Sequence, residues 1–469
     1  MGKGLAPIRK GEGKPMLSTK AGKDVSAEVQ SYMETKLNLI TKHATEDKSF
    51  KFSSLAHLLN EVTLKECFHM LKKDRAPGID DVTYEEYEKH LNTNIQKLVK
   101  KMKAGDYYPQ PVRRAYIPKG EGKLRPLGVP ALEDKTVQMG VTRILNAIFE
   151  PNFLDCSYGF RVGRDCHQAL KRFDNVVMTK PVNHVIDADI RSFFDNVDHD
   201  WLMKMLGEKI VDKNFLRIIR RFLKAGVMEE GKLSPTDEGT PQEGIISPIL
   251  SNVYLHYVLD LWVEKVVKRD MEGYVELERY ADDLVILVQY KEEAEKIMGL
   301  LEERLNKFGL DLSKEKTRLI EFGRYARTNA ERRGKKPDTL DFLGFTHFCD
   351  RSRKGNFKVG RKTRQERYNA KLKEMNEWLR AIRSMVEIKE WWKVLEAKLR
   401  GHYEYYGISG NYPGLRKFYI QTCKLAYKWI NRRSQKKSMN WGQFMEYLKQ
   451  FPLPKPEIKH NIYILGGNV

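Results

Sequence analysis

The stretch Arg279-Tyr280-Ala281-Asp282-Asp283-Leu284-Val285-Ile286-Leu287 sets two adjacent aspartates against a run of apolar residues. An apolar run of this length beside a turn is typical of a buried strand. Residues 277–290 contain strand-like stretches on both sides of Ala281, so the pattern predicts a β-hairpin with both acids at its turn. Taken alone, the pair is also typical of an ordinary turn, because aspartate favours turns.

A second apolar stretch ends in acids about 95 residues earlier in the chain. Residues 183–188 predict a strand that leads to Asp189, the third residue of Asp187-Ala188-Asp189-Ile190-Arg191-Ser192-Phe193-Phe194-Asp195. Two strands that each end in acids can be neighbours in one antiparallel sheet. That pairing would bring Asp189 to Asp282 and Asp283.

Three converging carboxylates repel one another unless divalent cations neutralise them. Two-metal phosphoryl transfer requires such an arrangement, and hard cations such as Mg²⁺ prefer oxygen ligands. We therefore predict that Asp189, Asp282 and Asp283 are catalytic and hold two Mg²⁺ ions, for which Mn²⁺ is an alternative. Asp187 and Asp195 are weaker candidates, because Asp187 lies a step further back on the strand.

Composition excludes several classes of protein. The chain has 469 residues, of which 41% are hydrophobic and 31% charged, which is too apolar for a disordered chain and too polar for a membrane bundle. The sequence contains no run of about 20 uncharged apolar residues, so we expect no membrane contact and a cytoplasmic protein. Its five cysteines form no CxxC pair, which excludes zinc ribbons and disulfide frameworks.

Charge is distributed unevenly along the chain. The net charge of +21 comes from 84 Lys and Arg against 63 Asp and Glu. Residues 1–150 carry a net +7, residues 151–300 a net −6 and residues 351–440 a net +17. A charge run is usually a solvated surface, but an acidic middle between basic flanks also suits a protein that grips a polyanion around a cation site.

Hydrophobic periodicity predicts an α+β fold. Helices are expected at residues 54–59, 84–98, 131–150, 199–225, 247–268 and 291–308, and throughout much of 363–450. Besides the strands already described, residues 112–129 and 340–348 each predict a pair of strands. The basic C-terminal helices also contain many aromatic residues, which suits RNA binding, although most of these aromatics are expected to form the core of a helical bundle.

The acidic motifs resemble those of reverse transcriptases, and further blocks narrow the resemblance to the group II intron reverse transcriptase/maturase family, in its bacterial form without an endonuclease. The resemblance runs from about residue 50 to residue 463. The blocks that carry it, in chain order, are Ala76-Pro77-Gly78-Ile79-Asp80, Ile117-Pro118-Lys119, Arg125-Pro126-Leu127-Gly128, Ser157-Tyr158-Gly159-Phe160-Arg161, Gly239-Thr240-Pro241-Gln242 and Phe342-Leu343-Gly344-Phe345.

This resemblance implies a right-hand polymerase fold. It places a partly mobile N-terminal extension at residues 1–50, fingers at 51–180, a palm with an antiparallel sheet and primer grip at 181–350, and a basic helical thumb/maturase domain at 351–469. The implied function is RNA-directed DNA polymerisation for a group II intron, together with binding of intron RNA to promote splicing and retromobility. The implied partners are intron RNA, an RNA template with a DNA primer, dNTPs and target DNA, in a bacterial cytoplasm near the nucleoid.

The resemblance also assigns residue roles. Ile190 is expected to bind the metal ions together with the three aspartates. The nucleotide pocket is expected to use Lys119, Arg125, Phe194, Gln242 and Lys316, with Lys314 an equal candidate for the proton donor to pyrophosphate. Primer contacts are expected from Tyr280, Phe342, Leu343 and Gly344. The RNA-binding cations are expected to be Arg361, Lys362, Arg364, Arg432, Arg433, Lys436 and Lys437.

Some questions stay open at this stage. Glu243 stands where the family commonly has glycine, which adds a negative charge near the expected template path. The polymerase site could instead be vestigial in an RNA-binding maturase, or the enzyme could be a domesticated reverse transcriptase in defence or repair. The sequence does not distinguish these alternatives, and it leaves the oligomeric state undetermined.

Overall fold

The computed structural model describes residues 32–120, 123–229, 232–234, 239, 244–433 and 438–463. The expected mobile start of the chain falls largely outside this part. Helices α1 to α8 span Tyr32–Glu46, Glu61–His69, Tyr84–Lys89, Leu91–Ala104, Leu132–Phe149, Cys166–Thr179, His199–Gly207 and Lys213–Leu223. Helices α9 to α16 span Ser247–Leu255, Lys268–Asp270, Lys291–Lys307, Ala326–Arg332, Gln365–Ile382, Ile388–Tyr406, Tyr412–Ile430 and Trp441–Gln450.

Twelve strands form three sheets within the described residues. Strands β1 to β6 span Val112–Gly120, Lys123–Val129, His184–Arg191, Val227–Glu229, Lys232–Ser234 and Val275–Tyr280. Strands β7 to β12 span Asp283–Val288, Asp311–Leu312, Arg318–Glu321, Thr339–Phe342, Phe345–Arg351 and Phe357–Thr363. The predicted α+β class is confirmed, and all pairings are antiparallel except that of β1 with β4.

The central sheet positions the acidic residues. Strand β3 pairs with β7 on one side and with β8 and β9 on the other, while β6 completes the β6–β7 hairpin. Alternate residues of β3 and β7 enter two different hydrophobic cores, with Ile186 and Ile286 in the first and Val185 and Val285 in the second. A sheet that is covered on both faces accounts for the nearly continuous apolar runs in these strands.

The four-stranded sheet contains the predicted hairpin of residues 112–129. Strands β1 and β2 pair from Arg113 with Val129 to Gly120 with Lys123, and an irregularity lies between Pro118 and Gly120. Strand β4 then joins the other edge of β1, and β5 pairs with β4.

The C-terminal region combines the three-stranded β10–β11–β12 sheet with α13 to α16. The strand pair near residues 340–348 and the helices after 363 are confirmed, whereas β12 was not predicted. Most aromatics of these helices are buried in the second core, as expected, including Trp391, Trp392, Tyr403 and Phe418. No helix within the described part of the chain is long and apolar enough to cross a membrane.

Three predicted helices differ from the structure, and the one expected at residues 199–225 is divided into α7 and α8. Residues 54–59 form only a short 3₁₀ turn, because the Asp212 carboxylate accepts the backbone N–H groups of Leu55 at 2.6 Å and Ala56 at 2.8 Å. The helix proper, α2, begins after Asn60, whose side chain caps it by accepting from the N–H of Thr63. The expected helix at residues 84–98 is divided into α3 and α4 at His90.

Candidate active site

The β6–β7 hairpin has the predicted form. Its register runs from Val275 opposite Val288 to Tyr280 opposite Asp283, which leaves Ala281 and Asp282 as the turn. Ala281 has a φ of 57°, a left-handed conformation that is uncommon for residues other than glycine. Such backbone strain persists only where the surroundings hold it, and it is concentrated at functional sites.

Arg279 is the residue that holds this turn, although no role was predicted for it from the sequence. Its side chain is 0% exposed, and its guanidinium donates to the two carboxylate oxygens of Asp260 at 2.7 and 2.6 Å. It also donates to the carbonyl of Ala281 at 2.9 Å, to Asn252 Oδ1 at 3.1 Å and to Ser157 Oγ at 2.7 Å. A buried charge is tolerated when it is paired and fully hydrogen-bonded in this way. The available signal was an arginine directly before the Tyr280-Ala281-Asp282-Asp283 turn, in a strand that also contains Glu276 and Glu278.

Gly159 allows the chain to approach the same turn closely. A Cβ atom on Gly159 would lie 2.3 Å from the backbone nitrogen of Ala281, so no larger residue fits there. The neighbouring Tyr158 donates its N–H to the carbonyl of Arg279 at 2.9 Å. The Ser157–Arg161 block therefore has a physical purpose, which is to support the acidic turn from behind.

Asp189 and Asp283 lie directly opposite each other in the β3–β7 pairing. Directly opposed residues of antiparallel strands have Cα atoms about 4.5–5.5 Å apart, and opposed like charges are destabilising. Asp187 shares their face of the sheet because it lies two residues before Asp189, and Asp282 is adjacent in the turn. The structure thus brings together all three predicted catalytic acids.

Crowding of the acids is visible in their electrostatics. The pKa of Asp283 is raised from 3.8 to about 6, first because protein atoms surround its carboxyl group and then because Asp282, Asp189 and Asp187 repel its charge. Part of the Asp283 side chain is nevertheless exposed, so solvent reaches the acidic turn. Burial also raises the pKa of Asp187, although the hydrogen bond from Arg318 opposes this effect.

Two cations lie against the acids. Lys316 Nζ is 2.8 Å from Asp189 Oδ2, and Arg318, opposite Asp187 in the β3–β9 pairing, donates to it at 2.8 Å. Lys314 points to another partner, Glu302, at 2.7 Å. Of the two lysines that were equal candidates from the sequence, Lys316 is therefore the one at the acidic site.

The carboxylates are suitable donors for a hard divalent cation. No group of three or more His, Cys, Asp or Glu side chains is arranged to hold a metal ion within the part of the chain described here. Ile190 lies in β3 and has a hydrocarbon side chain, so its main-chain carbonyl is the only oxygen that it can offer to a metal.

The two neighbouring phenylalanines after Asp189 differ in burial. Phe193 is buried in the first core, whereas Phe194 is partly exposed. Gly239 packs on this segment with a φ of 85°, and a Cβ there would lie 2.9 Å from the carbonyl oxygen of Phe194. Phe194 is thus the more accessible of the pair, consistent with its predicted position in the nucleotide pocket.

Several predicted nucleotide contacts cannot be placed. The backbones of Lys119 and Arg125 lie in β1 and β2, where Arg125 is opposite Ile117, but the structure does not describe either side chain. Gln242 and the divergent Glu243 fall outside the described residues.

The predicted primer contacts meet at Tyr405 of α14. Leu343 and Gly344 form the tight β10–β11 turn with φ values of 49° and 79°, and the Tyr405 hydroxyl donates to the carbonyl of Leu343 at 3.1 Å. Burial raises the pKa of Tyr405, and Tyr280 is among the groups that raise it further. Phe342 and Leu343 are both buried, so their side chains support this turn rather than line an open surface.

One predicted RNA contact is wrong. Arg361 is 1% exposed and forms a buried ion pair with Asp174 of α6, which joins β12 to that helix. A side chain enclosed in this way does not reach a ligand at the surface. A count of charges along the sequence could not reveal this burial. Arg361 and its neighbour Lys362 lie in the same strand, but Arg361 faces inward while Lys362 is exposed.

The other predicted RNA-binding cations have mixed surroundings. Arg364 pairs with Glu366 at 2.8 Å and lies 3.3 Å from Asp341. Arg432 is exposed, and its guanidinium lies 5.7 Å from the centroid of the Trp429 ring. Arg433 donates to the carbonyl of Val386 at 3.2 Å. Lys436 and Lys437 lie outside the described residues.

Comparison with known proteins agrees with the acidic site. Residues 117–347 match the family model described as reverse transcriptase (RNA-dependent DNA polymerase), and the chain belongs to this family. Within the family, its relatives place it among the group II intron-encoded reverse transcriptases and maturases.

Three curated relatives illustrate the extent of the similarity. The group II intron-encoded protein LtrA of Lactococcus lactis subsp. cremoris is 33% identical over 303 residues, covering 62% of this chain and 50% of LtrA. Protein YkfC of Escherichia coli (strain K12) is 32% identical over 322 residues, covering 61% of this chain and 80% of YkfC. Nuclear intron maturase 4, mitochondrial, of Arabidopsis thaliana is 30% identical over 136 residues, covering 28% of this chain and 16% of that protein. The chain thus spans about half the length of LtrA.

Proposed function

We propose that the protein is an RNA-directed DNA polymerase of the group II intron type, which copies RNA into DNA by two-metal nucleotidyl transfer. The observation that carries this proposal is the direct opposition of Asp189 and Asp283, with Asp282 in the adjoining turn. A protein that only binds RNA has no need to hold three carboxylates together against their mutual repulsion. The buried support from Arg279 and Gly159 shows how much of the fold maintains this turn.

Two Mg²⁺ ions are the cofactor that suits these side chains, and Mn²⁺ is the alternative. Asp189, Asp282 and Asp283 would hold them, together with the main-chain carbonyl of Ile190, since all four offer hard oxygen donors. When bound, the ions lower the pKa of the primer 3′-hydroxyl and stabilise the leaving pyrophosphate. The 2.8 Å contact between Lys316 Nζ and Asp189 Oδ2 supports this assignment, because it marks this carboxylate as a partner for cations.

The chain's own residues would bind and orient the nucleotide. Lys119 and Arg125, on facing strands of the β1–β2 hairpin, would clamp the triphosphate, since two cations suit a phosphate tail. Phe194 would exclude a ribose 2′-hydroxyl, and Gln242 would contact the sugar or base pair. Lys316 would donate a proton to pyrophosphate, for which its place beside Asp189 is suitable.

The primer end would be held where the two turns meet. Tyr280 precedes the acids and would support the primer, while residues 342–344 would form the primer grip. The hydrogen bond from Tyr405 to Leu343 favours this assignment, because it connects the grip to the C-terminal helices.

The right-hand organisation follows from the same assignment. We assign fingers to residues 51–180, palm to 181–350 and thumb/maturase to 351–469, preceded by the N-terminal extension. The central sheet with its acids supports the palm, and the basic helices α13 to α16 support the thumb.

The proposed partners are an RNA template with a DNA primer, dNTPs, target DNA and intron RNA. The net +17 of residues 351–440 supports RNA binding there, through Lys362, Arg364, Arg432, Arg433, Lys436 and Lys437. A role in splicing and retromobility is further supported by the names of the relatives, a group II intron-encoded protein and an intron maturase.

Primer extension on an RNA template with dNTPs and Mg²⁺ tests the proposal. Asp283→Asn should lower the extension rate on the order of a thousandfold or more, since metal stabilisation of transition-state charge is worth several kcal/mol. Asp311→Asn is the matched control, because Asp311 is an exposed carboxylate of the same sheet, opposite Arg191. Absence of extension by the wild-type chain, or equal rates for Asp283→Asn and wild type, would overturn the proposal.

A further inference from the structure

A second basic surface lies on helix α12, away from the C-terminal helices. Residues 322–336 contain six Lys and Arg but one acidic residue, Glu331. We call this the α12 surface, defined by α12, residues 333–336 and the β11–β12 turn that contains Arg353 and Lys354. Arg351 connects the two parts, because it donates to Thr328 of α12 at 3.2 Å.

Several cations of the α12 surface are available to a ligand. Arg332, Lys335 and Lys336 are exposed and form no ion pair with the described residues. The other pairs are local: Arg327 binds Glu331 at 2.9 Å, and Arg333 binds Glu321. Three exposed cations without carboxylate partners, side by side in the chain, are suited to neighbouring phosphates.

A cavity of about 310 Å³ is lined in part by the start of α12, the helix that ends at Arg332. Tyr290 and Tyr325 line it and are 46% and 60% exposed, so both rings are accessible to a ligand. Asn329 of α12 and Asn183 supply amide groups to the wall. The Nδ1 atom of His184, another lining residue, is buried without a hydrogen-bond partner among the described residues.

This cavity is distinct from the catalytic acids. His184 is the first residue of β3, and Asp189 is five residues further along the same strand. At about 3.3 Å per residue, the two positions are about 17 Å apart. A ligand in the cavity therefore lies at the opposite end of the central sheet from the primer end of the proposed polymerase site.

We propose that the α12 surface and its cavity form a binding site for single-stranded RNA, in which one unpaired base enters the cavity while Arg332, Lys335 and Lys336 contact phosphates. The inference rests on the proposed RNA-handling function and adds a second RNA site to it. Unpaired bases are recognised by stacking on exposed aromatic rings and by hydrogen bonds to their edges, and Tyr325 and Tyr290 offer the rings. The volume lies at the lower end of ordinary ligand pockets, which suits one nucleoside.

The chemistry favours a loop over a duplex. In a double helix the bases are stacked inside, so only phosphates and sugars would reach the α12 surface. Glu321 at the cavity wall does not repel an incoming phosphate strongly, because Arg333 and Asn329 both donate to its carboxylate. The cavity therefore distinguishes an unpaired nucleotide from the same nucleotide in a stem.

Affinity measurements on the full chain test this site. Fluorescence anisotropy would compare a hairpin RNA with an unpaired loop, its stem as a blunt duplex, and the loop sequence as DNA. Tyr325→Ala should weaken loop RNA binding about 5- to 100-fold, the worth of one stacking contact, and leave duplex binding unchanged. Tyr325→Phe should restore the affinity, because it keeps the ring.

A separate variant tests how much the three cations contribute to RNA affinity. Replacing Arg332, Lys335 and Lys336 by Gln should reduce the slope of log affinity against log salt by about 2 for loop RNA. The control removes three exposed cations elsewhere, Lys265, Arg269 and Lys296, and so has the same net charge. An equal slope change in the control would overturn the site, since it would reflect net charge alone.

Primer extension separates this inference from the proposed function. Wild-type chain that neither extends a primer nor binds RNA contradicts the proposed function itself. Extension with normal loop affinity in Tyr325→Ala overturns only the α12 site. Equal loss of duplex and loop binding would exclude a base in the cavity, and equal loss for the DNA loop would overturn the assignment to RNA.

Discussion

Two regions of the molecule each contain a buried arginine that pairs with an aspartate. The two ion pairs differ in how completely the arginine is hydrogen-bonded. Arg279 behind the acidic turn makes five hydrogen bonds and meets both oxygens of Asp260. Arg361 in the C-terminal sheet binds one oxygen of Asp174, while its Nε and Nη1 atoms find no partner among the described residues. The turn that presents the acids is therefore fixed more completely than the junction between β12 and α6.

The difference teaches where this fold needs accuracy. Carboxylates that act in catalysis need to be held within about 0.5 Å of their productive geometry, which would account for the complete hydrogen bonding of Arg279 behind the acidic turn. The Arg361 junction connects packed elements, and there an imperfect ion pair is sufficient. Asp174 reflects this difference, since burial raises its pKa to about 6 despite the arginine.

The largest effect on the free energy of unfolding is expected when the arginine of either ion pair is replaced. Arg279→Met should lower the free energy of unfolding by about 3–5 kcal/mol, because it leaves Asp260 buried and without its cation. Arg361→Met should cost less, since Asp174 can take up a proton at a pH near 6. Urea denaturation at pH 6 measures both, and Arg380→Met, which replaces an exposed arginine, is the control. A larger loss for Arg361→Met would contradict the comparison.

The acidic turn should also show a conflict between stability and function. Because the pKa of Asp283 is raised from 3.8 to about 6, the folded state binds more protons than the unfolded state between these values. Without metal, the free energy of unfolding should therefore fall as the pH rises from about 4 to about 6. Asp283→Asn should flatten this decline and raise the melting temperature at pH 7, although it should lower the extension rate on the order of a thousandfold.

Thermal melts in EDTA at several pH values measure this effect. The control, Asp311→Asn, should lose stability with rising pH as the wild type does. Added Mg²⁺ at pH 7 should raise the melting temperature of wild type more than that of Asp283→Asn, because the ion binds only the intact set of acids. A decline of equal steepness in Asp283→Asn and wild type would contradict the assigned repulsion.

The sequence predicted elements whose pattern is local. The hairpin at residues 277–290 and the helix at 131–150 are confirmed because periodicity and turn residues decide them. Where the predictions were wrong, contacts with residues far away in the chain determine the structure. Residues 54–59 are held by Asp212, and β12 was missed because its inward arginine, Arg361, is neutralised 187 residues away in the chain.

The same limit applies to the site. Acids at strand ends could be predicted to converge, since two apolar strands with acidic ends share one sheet. The pairing of Arg279 with Asp260 could not be predicted, because only the folded chain shows which buried carboxylate binds an arginine within a strand. Lys316 could be separated from Lys314 only by the turn that directs it to Asp189.

The smallest expected effect concerns the cations between residues 432 and 437 of the C-terminal region. Replacing Arg432, Arg433, Lys436 and Lys437 by Gln should reduce the salt slope of RNA affinity by about 3, while extension on a saturating short duplex is unchanged. The control removes Lys265, Arg269, Lys296 and Lys307, which are exposed elsewhere. If extension fell and RNA affinity did not, the separation between a rigid catalytic region and a charged binding region would be wrong.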